Sequence, residues 1–275
     1  MPGYRYIFCS VLILIALICN EGFAEEVEEL HGYKIMDNSF LLEEAYNQEP
    51  GVIQHIQTFR YLEKSKNWEY SFTQEWPVPG QRHQFSYTIP VSYLNDPVNE
   101  TNIGDVALNY RYQLIFQEAI ALAPRFSTLL PTGDYKEGFG SGTLGYQVNI
   151  PMSLELSHKL VNHWNMGTTI IPGNKEAGGA DADTFGYNFG TSLIWLVSEN
   201  FNLICEAVWN SPESVQADGT KTRNDTLFIN PGARFAINFE SGLQMVPGIS
   251  FPIGLGHSKN EYGVFLYLSF EHRLF

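Results

Sequence analysis

Arginine and glutamate side chains occur within stretches in which apolar and polar residues alternate. In one stretch, Val106, Leu108 and Tyr110 alternate with polar residues. Asn109 and Arg111 are two of those polar residues. Because successive side chains of a β-strand point to opposite faces, the charged groups lie on the polar faces of strands. The residues that meet this description are Arg60, Glu69, Glu75, Arg111, Arg125, Glu155, Glu206, Arg234, Glu271 and Arg273.

These opposed guanidinium and carboxylate groups suggest a function in conduction. They could line a polar channel and create an electric field across it, as charged rings do in pores. Alternatively, the same charges pair with each other and fill the interior of a closed barrel. An arginine that faces lipid costs about 2–4 kcal/mol at the midplane of a membrane, so an inward orientation is favoured. We predict that these residues line a lumen.

A catalytic set of serine, histidine and carboxylate is the alternative chemistry, because some membrane barrels hydrolyse lipids. The candidate residues are Ser157, His158, His163, His257, Ser258 and Glu261. Their spacing is irregular, and the sequence contains no G-x-S-x-G nucleophile elbow. We predict that the protein is not an enzyme. The sequence implies no cofactor and no metal ion. A barrel enzyme acting on lipids, or a structural or adhesive barrel, is the rival interpretation.

β-Strands must position these side chains. Gly104–Pro131 reads as two strands of about 12 residues joined at Gln117 and Glu118, and a tilted strand of that length crosses a bilayer. The same alternation recurs from Val52 onward. It predicts about 12 strands, near 52–62, 67–78, 82–93, 104–116, 119–130, 143–156, 163–172, 184–197, 200–210, 225–238, 242–253 and 261–275.

The connections between these strands alternate in length. Short turns are predicted at 79–81, 117–118, 157–162, 198–200 and 239–242. Longer polar loops are predicted at 95–103, 132–142, 173–183, 211–224 and 254–260, while 63–66 is short. Outer-membrane barrels alternate short periplasmic turns with longer outer loops, whereas soluble sandwiches do not sort their loops in this way. The sequence therefore predicts an all-β fold: a transmembrane, antiparallel, up-and-down β-barrel over residues 52–275.

The first 24 residues read as a signal peptide. Arg5 supplies the positive charge, Ile7–Ile18 the apolar core, and Gly22 and Ala24 the small residues of a cleavage site. The apolar run is too short for a spanning helix of about 20 residues. A lipoprotein with lipid on Cys19 is disfavoured because Ile18 before it is not small. Export to the bacterial outer membrane is the expected consequence.

Residues 25–51 are strongly acidic. They hold half of the formal net charge of −14, which argues against nucleic acid as a partner. A short helix is predicted from Ser39, and Pro50-Gly51 would end it. The segment is either a periplasmic tail or a plug docked into the barrel, in which case the plug residues are Phe40, Leu41, Leu42 and Tyr46.

The last strand ends on Phe275. A terminal aromatic residue after an alternating strand resembles the insertion signal of outer-membrane proteins, so their assembly machinery is a predicted partner. The pattern departs from the usual one. Glu271 and Arg273 share the face of Phe275, whereas the apolar residues lie one position out of register.

Several stretches resemble one family. They include FLLEEAYNQEPGVIQHI at 40–56, GDVALNYRYQL at 104–114 and NPGARFAINF at 230–239. The chain is similar here to the outer-membrane transporters of the meta-pathway phenol-degradation family of Gram-negative bacteria. This resemblance covers essentially the whole chain after the signal peptide. It implies a porin-like channel in contact with outer-membrane lipids, which takes up small hydrophobic or aromatic solutes passively.

Overall fold

The structure is a computed structural model, and it describes residues 39–96 and 98–273. The predicted signal peptide 1–24, the first part of the acidic segment and Phe275 lie outside the described residues. Among the described residues, none belongs to a helix long and apolar enough to cross a membrane.

Twelve antiparallel strands form the wall of a barrel. Their bounds are β1 Val52–Leu62, β2 Trp68–Pro77, β3 His83–Leu94, β4 Glu100–Ile103 with Val106–Tyr112 and Ile115–Gln117, β5 Ile120–Leu122 with Arg125–Leu130, β6 Gly145–Ser157, β7 Leu160–Lys175, β8 Asp181–Ser198, β9 Phe201–Ser211, β10 Thr226–Phe235 with Ile237–Asn238, β11 Gln244–Ser250 with Ile253–Leu255, and β12 Gly263–Arg273. Each strand pairs with its neighbour in sequence.

The first and last strands close the barrel. β1 pairs with β12 along its whole length, from Val52 opposite Arg273 to Leu62 opposite Gly263. Closure gives every wall strand a partner on both sides, which a lipid environment requires because it offers backbone groups no water. The predicted all-β barrel of about twelve strands is thereby confirmed.

The alternation of side chains separates an apolar outer face from a polar interior. On β8, Phe185, Tyr187 and Phe189 are exposed on the outside, whereas Thr184 and Ser192 are buried inside. Other strands show the same division. A closed wall with an apolar outer surface is suited to contact with lipid.

The two ends of the barrel differ in their connections. One end, the short-turn end, joins β8 to β9 through Glu199 and Asn200 alone. The other, the long-loop end, carries a separate hairpin of Glu213–Val215 and Lys221–Arg223, which we call the outer hairpin. The loop expected at 173–183 is mostly strand, because β7 and β8 continue their ladder as far as Lys175 opposite Asp181.

Two prolines interrupt strands. Pro124 lies between the two parts of β5, and Pro252 lies between the two parts of β11. Proline has no N–H group to donate to a ladder, so the strand breaks at these residues. Around Pro124 the register with β6 is preserved, whereas the register with β4 shifts by one residue between Arg111 opposite Arg125 and Ile115 opposite Leu122. Around Pro252 the register with β10 is preserved, and the wall remains closed at both places.

Candidate functional site

Residues 39–48, which we call the inner segment, cross the interior of the barrel. The backbone N–H of Gln48 donates to Gln84 on β3. The N–H of Phe40 donates to Glu206 on β9. β3 and β9 are six strands apart in a ring of twelve, so a segment that reaches both must run through the lumen.

The inner segment is not a helix. Its residues form bends and irregular backbone, so the short helix predicted from Ser39 is wrong. Side chains of the wall accept the N–H groups that a helix would use internally. Four more bonds of this kind are Leu41 N–H to Glu206, Glu43 N–H to Asn165, Ala45 N–H to Ser153 and Asn47 N–H to Gln113. Tertiary hydrogen bonds therefore replace the local ones.

Arg111 on β4 holds the middle of the inner segment. Its Nη1 donates to the carbonyl of Glu44 (3.1 Å), its Nη2 to the carbonyl of Tyr46 (2.6 Å), and its Nε to Oδ1 of Asn47 (2.9 Å). The guanidinium also lies 3.7 Å from the carboxylate of Glu44 and 3.8 Å from that of Glu75. Arg111 is buried, and its planar fork satisfies several acceptors at once.

Glu206 on β9 holds the start of the segment. Its carboxylate is 1% exposed and accepts the N–H groups of Phe40 and Leu41 at 3.0 Å. Asn230 on β10 donates to the same carboxylate at 2.6 Å. Glu206 thereby joins the start of the segment to both β9 and β10.

Glycines of the wall make room for the apolar side chains of the segment. A Cβ atom added to Gly248 would lie 2.7 Å from the ring of Phe40, and one added to Gly190 would lie 2.7 Å from Leu42. The ring of Phe40 packs edge-on against Phe265 and Tyr267 of β12. The missing side chains thus create notches for the segment.

The predicted plug residues fall in this region. Phe40 and Leu42 are buried, and Leu41 borders a cavity. The ring of Tyr46 packs edge-on against Phe116 and His163. Their role as a plug stays a prediction.

Each predicted lumen-lining residue lies two positions along its strand from a residue whose side chain points into the barrel. Because side chains two positions apart share a face, these residues are on the inner face of the wall. Arg125 pairs with Glu43 of the inner segment at 3.0 Å. Arg60 and Glu69 pair with each other at 2.7 Å. The others differ in exposure: Glu75, Arg111, Glu206 and Arg234 are buried, Glu155 and Glu271 are half-buried, and Arg273 is exposed at the end of its strand. Lining of a conducting lumen stays a prediction for this set.

The candidate catalytic residues are not brought together. Ser157 and His158 lie at the short-turn end, whereas His257 and Ser258 lie at the long-loop end. His163 lies inside the barrel, where its Nδ1 and the hydroxyl of Ser153 are 2.7 Å apart. Ser153 also accepts the N–H of Ala45, so this pair supports the inner segment.

Sequence reasoning missed the neutral polar residues that hold the segment, such as Gln84, Gln113, Ser153 and Asn165. Each lies on a polar strand face. An amide or hydroxyl is ordinary at such a position, so nothing in its type marks a contact with a distant segment.

Two solved structures resemble the barrel. An outer-membrane channel from Pseudomonas putida F1 superposes with a TM-score of 0.62 and 12% identity, covering 83% of this chain and 98% of that one. The NanC porin superposes with a TM-score of 0.52 and 10% identity, covering 81% of this chain and 100% of that one. No protein-family model matches the chain, and no curated protein matches it.

These likenesses establish the fold. Together with the closed ladder and the apolar outer face, they define a bacterial outer-membrane β-barrel of the porin-like architecture.

Proposed function

We propose that the protein is an outer-membrane channel for passive uptake of small solutes, and that the inner segment closes it at rest. The observation that carries the proposal is the course of residues 39–48 through the lumen, with wall side chains bound to their backbone. Solutes cross once the segment moves aside.

The type of bonding suits a segment that can move. The inner segment adds no strand to the wall, and the ladder of the barrel is complete without it. A typical hydrogen bond contributes about 0.5–1.5 kcal/mol net, because water replaces the lost partner. Release of the segment therefore breaks a limited number of such bonds and leaves the wall intact.

The nature of the solute rests on the sequence. The resemblance to the phenol-degradation family supports small hydrophobic or aromatic compounds as cargo. Passive movement down a gradient needs no cofactor, and the neighbouring outer-membrane lipids complete the environment.

Conductance in planar bilayers tests the proposal. We expect the refolded chain that lacks residues 25–48 to show larger or more frequent current steps than the form that retains them. Glu49→Gln in the full-length form is the control. Glu49 is exposed directly after the inner segment, so this substitution should leave conductance unchanged. Equal currents from both forms, with folding verified by heat-dependent gel mobility, would contradict a plug; absence of current from both would contradict a channel.

A further inference from the structure

A cavity of about 430 Å³ lies beside the inner segment, on the side of the long-loop end. We call it the vestibule. Leu41, Leu42 and Glu43 of the inner segment border it, and strands β5 to β9 supply its walls. Its size is within the range of pockets that hold small molecules.

Amide and hydroxyl side chains dominate the polar part of the vestibule. They come from four strands: Gln147, Asn149, Thr169, Thr184, Asn188 and Asn210. Leu42, Ile171 and Val208 supply apolar surface among them. Such a mixture offers both donors and acceptors, because each amide has an oxygen and an N–H₂ group.

The charges that border the vestibule are paired. Arg125 lies 3.0 Å from Glu43. Glu213 lies 3.0 Å from Lys221 and 2.7 Å from Arg223. An ionic solute would have to compete with these partners, so the vestibule favours an uncharged one.

Some of these polar groups have unused bonding capacity. The side-chain amide of Asn210 has no hydrogen-bond partner within residues 39–96 and 98–273. A site with such groups discriminates against a ligand that cannot hydrogen-bond, because the groups then lose water without gaining a partner.

We infer that the vestibule is a binding site for an uncharged small solute that carries several hydroxyl groups. This inference rests on the proposed function, since it concerns the solute on the outer side of the inner segment, and it specifies the chemical groups that the solute must carry. A sugar-like polyol and a hydroxylated aromatic ring share this chemistry, whereas an unsubstituted hydrocarbon lacks it.

Equilibrium titration of the folded full chain in detergent tests the inference with three probes: glucose, catechol and toluene. We expect saturable binding of glucose or of catechol, and the one that binds identifies the source of the hydroxyl groups. Toluene should bind at least about tenfold more weakly. Saturable binding of toluene alone, or of none of the three, would overturn the inference.

Substitutions locate the binding. Asn210→Ala removes an amide that has no partner among the described residues, so the fold should be retained, and affinity for the hydroxylated probe should fall about fivefold or more. Asn202→Ala is the matched control: Asn202 is a buried amide of the same strand nearer the short-turn end, and its removal should leave affinity unchanged. Equal affinity of the wild type and Asn210→Ala would place the ligand elsewhere. The titration measures binding and not flux. A protein that binds the probe but does not conduct would therefore contradict the proposed channel and not the binding site.

Discussion

At the scale of single residues, two buried ionisable side chains bind the backbone of the inner segment. Arg111 donates to two carbonyl groups and one side-chain oxygen of the segment. Glu206 accepts two N–H groups. A charged group inside a barrel is expensive unless it is paired and hydrogen-bonded. The segment therefore satisfies wall residues that would otherwise need water.

Arg111→Lys should loosen the inner segment. A lysine keeps the charge, but its compact ammonium cannot reproduce the planar fork that reaches three acceptors. Loss of one charge-assisted hydrogen bond costs about 1.5–3 kcal/mol, which corresponds to a rise of about tenfold or more in the open probability of single channels. Arg223→Lys on the outer hairpin is the matched control. An open probability equal to that of the wild type would remove Arg111 from this role.

At the scale of elements, the strands are shaped for the segment they enclose. Gly190 and Gly248 weaken their strands, since glycine gives no side chain to pack. Their absent Cβ atoms leave the space that Leu42 and Phe40 occupy.

The outer hairpin is a second element with a defined support: Glu213 accepts hydrogen bonds from Lys221, Arg223 and the N–H of Phe185.

Gly248→Ala should displace Phe40 and with it the start of the inner segment. The added methyl group would meet the ring at 2.7 Å, and overpacking of this kind costs about 1–3 kcal/mol. We expect more frequent opening in bilayers. In Gly186→Ala, the new Cβ meets its nearest neighbours at 3.6 Å, which is ordinary contact, so this variant should behave as the wild type does. Indistinguishable currents from the two variants would show that the notch is not required.

Glu213 should titrate below the ordinary range of a glutamate. The hydrogen bond from Lys221 and that from the N–H of Phe185 lower the pKa of its carboxyl group. A carboxyl group whose pKa is lowered in the folded state stabilises that state above the unfolded pKa of about 4.3. The contribution of Glu213 to the stability of the outer hairpin is lost as the pH falls through the lower pKa of the folded state.

Carbon-detected NMR of the Glu213 carboxyl measures this pKa directly. We expect a midpoint below about 4.3, the reference value for glutamate. Lys221→Ala removes the largest cause and should raise the midpoint toward that value. A wild-type midpoint at or above the reference would contradict the hydrogen bonds assigned to the hairpin.

At the scale of the whole molecule, the wall and the inner segment are separable. Every strand of the wall is paired to two others in a closed ring, whereas the inner segment is attached to the wall through side chains and through its continuation into β1 at Val52. Closure of the wall and closure of the lumen are therefore two different properties of one chain.

A peptide of residues 39–51 should close a barrel that lacks residues 25–48. The peptide presents the same backbone groups and the same Phe40 and Leu42 side chains to the wall, so it can occupy the vacated path. We expect the current of the shortened barrel to fall with peptide concentration in a saturable way. A peptide of scrambled sequence is the control, and equal inhibition by both would argue against a specific path through the lumen.

Much of the wall could be predicted from the sequence. Alternation such as Phe185, Tyr187 and Phe189 against Thr184 and Ser192 is a local property with a period of two, and it fixes both the strand and the direction of each side chain. The number of strands followed from counting such stretches, and the two ends of the barrel followed from the lengths of the connections.

The conformation of the inner segment could not be predicted from local sequence patterns. Residues 39–48 have a composition compatible with a helix, and the sequence pattern predicted one, but their N–H groups bind Glu206, Asn165, Ser153, Gln113 and Gln84. Those partners lie between 36 and 166 positions away in the chain. Only closure of the barrel brings them together around one segment.

The sequence by itself therefore determined the strands, their inner and outer faces and the topology of the wall, because each depends on neighbours a few residues apart. The tertiary structure alone decided the path of the inner segment, the use of Gly190 and Gly248 as notches, and the composition of the vestibule. These features depend on contacts across the lumen, whose free energies exceed the weak preference of a short segment for a helix.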